Sequence, residues 1–160
     1  MVGLVALLPQ IADAVNLPVI APGGIADARG VAAALILGAS AVQVGTGFLR
    51  SPEAMMHPAY VDRLKHTEAH ETLVMRAFTG RSGRTVGSAY VRASVASNAP
   101  SPAPYPIQRG LTRLMREDAL KAGDIERMQM WAGQAAKLAR AEPAGSIVQQ
   151  LWEDASRLLS

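Results

Sequence analysis

The chain has 160 residues, 49% of them apolar and none a cysteine, with 16 Lys and Arg against 13 Asp and Glu for a net charge of +3. That length supports one domain with a packed core, and the lack of cysteine excludes disulfides, thiolate catalysis and thiolate metal ligation. No apolar run approaches the roughly 18 residues of a spanning helix, and the opening MVGLVALLPQ lacks the features of a secretory leader, so a cytoplasmic setting without a membrane partner is expected.

In chain order, LLPQIADAV predicts a short amphipathic helix that Pro9 begins and Asn16 closes, with Leu8, Ile11, Ala12 and Val15 at helical spacing. Pro18 opens PVIA, an apolar run of the kind found in a strand buried on both faces. Asp27 is placed to cap a helix over ARGVAAALILG, which ends at Gly38, the preferred residue for a left-handed helix exit. AVQVGT is a second strand. Helix and strand alternate through short connections, and both strands run into glycine toward the same side, the pattern of parallel βα units in an α/β fold.

From Ser51 the character changes. SPEAMMHPAYVDRLKHTEAHE predicts a helical connection, TLVMRAF a short strand and GRSGRTVGS a glycine-rich basic loop. Residues 97–106, SNAPSPAPYP, hold four prolines and are predicted to form an ordered loop or hinge. Helices are predicted over MREDALKAGD, IERMQMWAGQAAKLAR and GSIVQQLWEDASRLL, packing through Leu114, Leu120, Met128, Trp131, Leu138, Val148, Leu151 and Leu158.

The charge excess is concentrated in the middle. Between Thr72 and Arg116 stand seven arginines, no lysine and no carboxylate. Forked guanidinium donors suit anion recognition, which leaves an interdomain surface, an anion-attracting mouth or a nucleic-acid patch. Nucleic acid ranks last, since Phe78, Tyr90 and Tyr105 are the only aromatics nearby and no binding module is recognisable.

Two turns carry the chemistry. Gly23-Gly24 between a strand and a helix lets backbone N–H groups approach an anion, and Gly45-Thr46-Gly47 repeats the arrangement with a hydroxyl added. One such turn reads most simply as a tight connection. Two on neighbouring parallel strands favour a phosphate, as at the last strands of a (β/α)8 barrel. Neither matches G-x-G-x-x-G, and no Walker loop is present. His66 and His70 in HTEAH lie one helical turn apart, but Glu68 is not placed as in H-E-x-x-H and a third ligand is lacking, so a solvated helix face is expected and no metal. Trp131, an aromatic among Met128, Met130 and Leu138, reads by itself as a core residue.

These blocks, PVIAPGGIADARGVAAALILGASAVQVGTGFL, HPAY, RAFTGRSGR, PYPIQRGLT and WAGQAAKLAR in that order, resemble the C-terminal half of class I nitronate monooxygenases, formerly called 2-nitropropane dioxygenases. The resemblance implies an FMN enzyme on a TIM-barrel scaffold with a small added domain, oxidising alkyl nitronates with O2 to a carbonyl compound and nitrite. It implies that Gly23, Gly24, Gly45 and Thr46 bind the flavin phosphate, that Gln43 and Phe48 line the same pocket, and that Trp131, Gly133 and Gln134 approach the flavin ring. Pro22 stands where alanine is more common. Gly47 stands where arginine or another larger residue is common, so loosened neighbours are expected. The family's histidine, in a glycine-rich stretch upstream of these strands, has no counterpart here, and no catalytic residue is assigned; His57 in HPAY is distant from it in motif order.

The fold expected is therefore a partial TIM barrel of the FMN-dependent type: barrel units over 1–70, a small extension over 71–130 with the basic loop and Pro-rich hinge, and C-terminal helices over 131–160. A closed barrel needs about 200 to 250 residues, so the chain reads as a fragment, inactive alone, with a homo-oligomer or a complementing N-terminal half as partner. Two alternatives are a flavin-dependent enoyl-ACP reductase, which shares the GGIAD, VQVGT and AGQ blocks, and a non-catalytic phosphate-binding remnant.

Overall fold

The computed structural model describes residues 2–160, and these fall into two compact units. Residues up to Met55 together with Leu138–Ser160 form the first, and Met56–Lys137 form the second. Chain length alone argues for a single core, yet each unit has an apolar cluster of its own.

The first unit begins with α1 (Leu4–Ala14), which contains Pro9 rather than starting at it. The helix nucleates earlier, where Gly3 caps it and its carbonyl accepts from the N–H groups of Ala6 and Leu7 at 3.1 and 3.0 Å. The proline removes one bond to the preceding turn, at Val5, which is exposed. Strand β1 (Ile20–Pro22) pairs in parallel with β2 (Ala41–Gln43), Ile20 opposite Ala41 and Pro22 opposite Gln43. Between them, α2 (Ala28–Ile36) is capped by Asp27, whose side chain accepts from the Gly30 N–H at 3.0 Å. Gly38 follows with φ of +99°, and a Cβ there would come within 2.8 Å of the Ala12 Cβ.

The helix α7 (Ala144–Leu159) packs on α2 through Ile147, Leu151 and Ala155. This corrects the expected packing face: Leu151 is buried, whereas Val148 and Leu158 on the same helix are exposed. The strands also differ from expectation. Only Ala21 of β1 faces the core; Ile20, Pro22, Ala41 and Gln43 are exposed. Side chains alternate across a strand, and the helices of this unit cover one face only.

In the second unit, the predicted helical connection is broken into α3 (Pro58–Lys65) and a 3-10 turn at Ala69–Glu71. Strand β3 (Thr72–Met75) pairs antiparallel with β4 (Gly83–Val86), Thr72 opposite Val86. The stretch GRSGRTVGS is thus half strand, because Arg84, Thr85 and Val86 find cross-strand partners. After α4 (Ala89–Ser94), the proline-rich segment runs without regular structure to α5 (Ile107–Leu111), followed by α6 (Arg113–Ala122). On α6 the small Ala119 is buried while Leu114 and Leu120 are exposed, the reverse of the expected face.

The largest correction lies beyond Gly123. IERMQMWAGQAAKLAR is not a helix: only Ala136–Leu138 makes a 3-10 turn, and Leu138 is exposed. Its backbone instead pairs with β4. The Val86 N–H donates to Met130 O at 2.9 Å, and the Ala132 N–H to Arg84 O at 3.1 Å. Tertiary pairing overrides helix propensity here.

Candidate functional site

The two glycine turns are neighbours. The parallel register ends with Pro22 opposite Gln43, so the chains that leave β1 and β2 at Gly23 and Val44 emerge side by side, about 4.8 Å apart by strand spacing. Gly23 and Gly24 have φ of +103° and +75°, a left-handed backbone that glycine adopts without strain. A Cβ built on Gly23, Gly24 or Gly45 would meet nothing within 4 Å. That open space beside backbone amides is what an anion's oxygens require.

Thr46–Phe48 forms one 3-10 turn, closed by the Phe48 N–H donating to Gly45 O at 3.0 Å. Gln43 is exposed at the end of β2, and Phe48 is partly buried against the core of the first unit. Gly47 does not leave its neighbours loose. It is buried, and a Cβ there would lie 2.8 Å from Val44 Cγ1 and 3.3 Å from Ala26 Cβ. The smaller residue lets these side chains close in.

A cavity of about 430 Å3 adjoins the first turn, lined by Gly23, Gly24 and Ile25 together with Leu4, Leu8 and Ala33. Asp27, at the start of α2, is ionised. Partial burial raises its pKa, but the Gly30 N–H and the Arg29 guanidinium outweigh that and hold it below the usual 3.8.

Trp131, Gly133 and Gln134 belong to the second unit. The Trp131 ring is half-buried and meets Phe78 edge-on at 6.1 Å, while Gln134 is exposed. Sequence reasoning missed the residues that hold this segment. Tyr60 donates its hydroxyl to Trp131 O, and Thr85 donates to Met130 O at 2.6 Å. Gly83 lies under the ring, where a Cβ would be 2.5 Å from Trp131 Cζ3. Two signals were available: a tyrosine one turn from Leu64 on a buried helix face needs a partner for its hydroxyl, and a glycine inside a strand marks a close approach.

The arginine-rich middle is largely spent internally. Arg76 Nε donates to Gly80 O at 2.9 Å, Arg84 Nη1 to Thr72 O at 3.0 Å, and Arg116 to Thr112, Gln129 and Arg109. Arg81 stacks over the Tyr105 ring at 4.0 Å. These guanidiniums brace loops rather than form one open anion-facing patch.

His57 caps α3, its Nδ1 accepting from the Ala59 N–H at 3.2 Å. His66 ends that helix and His70 lies in the following 3-10 turn, so the two do not share a helix face. Among the described residues no three His, Cys, Asp or Glu gather as a metal site, and no helix is long and apolar enough to cross a membrane.

The sequence model of the family described as nitronate monooxygenase matches residues 1–154. A probable nitronate monooxygenase of Staphylococcus aureus strain MSSA476 is 38% identical over 159 residues, 99% of this chain and 44% of that protein. The crystal structure of a nitroalkane oxidase from Streptomyces ansochromogenes superposes with a TM-score of 0.90 at 39% identity, over 99% of this chain and 46% of its own. FabK from Thermotoga maritima gives 0.81 at 32%, over 99% and 50%. The chain spans about half the length of these proteins or less, and has an α/β fold similar to that of both solved structures. It belongs to the nitronate monooxygenase family.

Proposed function

We propose that this chain is the phosphate-holding portion of an FMN-dependent enzyme that oxidises alkyl nitronates with O2 to a carbonyl compound and nitrite. The observation that carries the reading is the pair of glycine turns on adjacent parallel strands, with open space where Cβ atoms would stand at Gly23, Gly24 and Gly45. In this reading, amides at Gly23, Gly24, Gly45 and Thr46 face the phosphate, and Gln43 and Phe48 border it. Trp131, Gly133 and Gln134 are assigned to the flavin ring by their motif. Bound flavin would supply the electron acceptor for the anionic nitronate. The protein's part is to fix the phosphate, orient the ring and exclude water. The strands are read as the last two of a TIM barrel, and the histidine that would handle protons is assigned to a complementing upstream portion.

The test is direct binding. FMN and riboflavin differ by one phosphate, so the chain is expected to bind FMN much more tightly in fluorescence titrations, with inorganic phosphate competing. Equal affinity for the two would remove the phosphate assignment. Nitrite release from a propyl nitronate is expected only when the upstream portion of a relative is supplied. Robust turnover by the chain alone would overturn the division of labour. The second reading, flavin-dependent enoyl-ACP reduction, rests on shared sequence blocks and predicts NAD(P)H consumption with an enoyl thioester; the nitroalkane oxidase is the more similar of the two solved structures by both identity and superposition.

A further inference from the structure

Tyr60 sits on the buried face of α3, 6% exposed, and its hydroxyl reaches the main chain at Trp131 O. A phenylalanine would fill the same apolar space, so the hydroxyl has a separate use. The segment it meets is held residue by residue. Met130 O accepts from Thr85 Oγ1 and from the Val86 N–H, and the Ala132 N–H is bound to Arg84 O. Above these bonds the Trp131 ring lies over Gly83, which has no side chain to lift it, and against the edge of Phe78. Past this clamp the chain reaches the surface at Gln134.

We propose that Tyr60, through its bond to Trp131 O and together with Thr85, is a positioning residue that fixes the pose in which Trp131–Gln134 meets the flavin ring. This rests on the flavin reading above. The Trp131 C=O and the Ala132 N–H are two edges of one planar peptide, and Arg84 O holds only its N–H edge. Here the donor to the C=O edge comes from a helix outside the sheet, so the peptide is held from a direction that β4 cannot supply. Burial raises the Tyr60 pKa above that of an ordinary phenol, so the hydroxyl keeps its proton throughout the neutral range.

The test uses the full chain with Trp152→Phe, which leaves Trp131 as the sole tryptophan of the two. Trp152 is exposed on α7 and outside the proposed site. Tyr60→Phe and Thr85→Val are compared with this parent. Without flavin, each variant is expected to keep its far-ultraviolet circular dichroism, lose near-ultraviolet intensity from Trp131 and shift the Trp131 emission to the red. With FMN, affinity read from flavin fluorescence is expected to change little, while the visible band of bound flavin reverts toward that of free flavin. Variants whose Trp131 signals and bound-flavin spectrum match the parent would overturn the proposal. If the parent binds no FMN, the flavin reading fails by itself, and the Trp131 signals still decide whether Tyr60 fixes the segment: unchanged signals overturn that too. If Tyr60→Phe loses its fold, Thr85→Val carries the same comparison.

Discussion

Asp27 is a single carboxylate that fixes where α2 begins. It precedes a helical run, and in the fold its carboxylate accepts from the Gly30 N–H. Removing such a cap costs about 1 kcal/mol, so Asp27→Ala is expected to lower the urea midpoint accordingly, whereas Asp27→Asn, also a good cap, is expected to stay near the parent at neutral pH. The pH sign follows from the depressed pKa. Its stabilising contribution is complete above the unfolded value near 3.8 and is lost as pH falls through the lower folded value; in the Asp27→Asn variant that part of the acid dependence should vanish. Gly47 is the contrary case. Its place in GTGF suggests slack, but the neighbours it leaves room for cannot be read from the motif. Because Val44 is β-branched and has few rotamers to escape into, Gly47→Ala is expected to destabilise by about 1 to 3 kcal/mol as an overpacked site, measured by denaturant unfolding with the m-value unchanged.

Elements whose ends carry their own punctuation are readable: α2 between Asp27 and Gly38, the two strands before the glycine turns, and α7. Those decided by partners distant in sequence are not. MQMWAGQAAKLAR has the composition of a helix, and nothing within it announces that Met130 and Ala132 will bond to β4. The same holds for GRSGRTVGS, whose glycines suggest a loop until Arg84–Val86 find β3. The proline-rich segment is recognisable as irregular, but what fastens it is remote. Gln108 bridges Ala103 N and Ala77 O at 3.0 and 2.6 Å, and Gly80, with φ of +87°, lets the chain pass where a Cβ would lie 2.5 to 2.8 Å from backbone atoms of Ala103, Pro104 and Tyr105. Backbone atoms cannot rotate aside. Gly80→Ala therefore adds a clash to a left-handed penalty of about 1 to 2 kcal/mol, and is expected to free residues 97–106, seen as faster proteolytic nicking there while α7 remains protected.

The apolar content that composition assigns to a core is not all buried. Parallel sheets are ordinarily covered on both faces, and two strands alone are marginal, yet here Ile20 is 58% exposed, and Leu17 and Val5 of the same unit are 73% and 72% exposed. The β1–β2 sheet has two strands and so two open edges. Such a surface favours association. The chain is expected to sediment as a concentration-dependent mixture rather than a single monomeric species. Ile20→Thr keeps a β-branched residue in the strand but removes most of the apolar gain, and should move the mixture toward monomer. Sulfate distinguishes the cause, because it strengthens apolar contacts while raised ionic strength screens charge pairs. Association that grows in sulfate and falls in Ile20→Thr assigns the contact to this sheet face; association that dissolves in salt and ignores Ile20 would assign it to the charged surface instead.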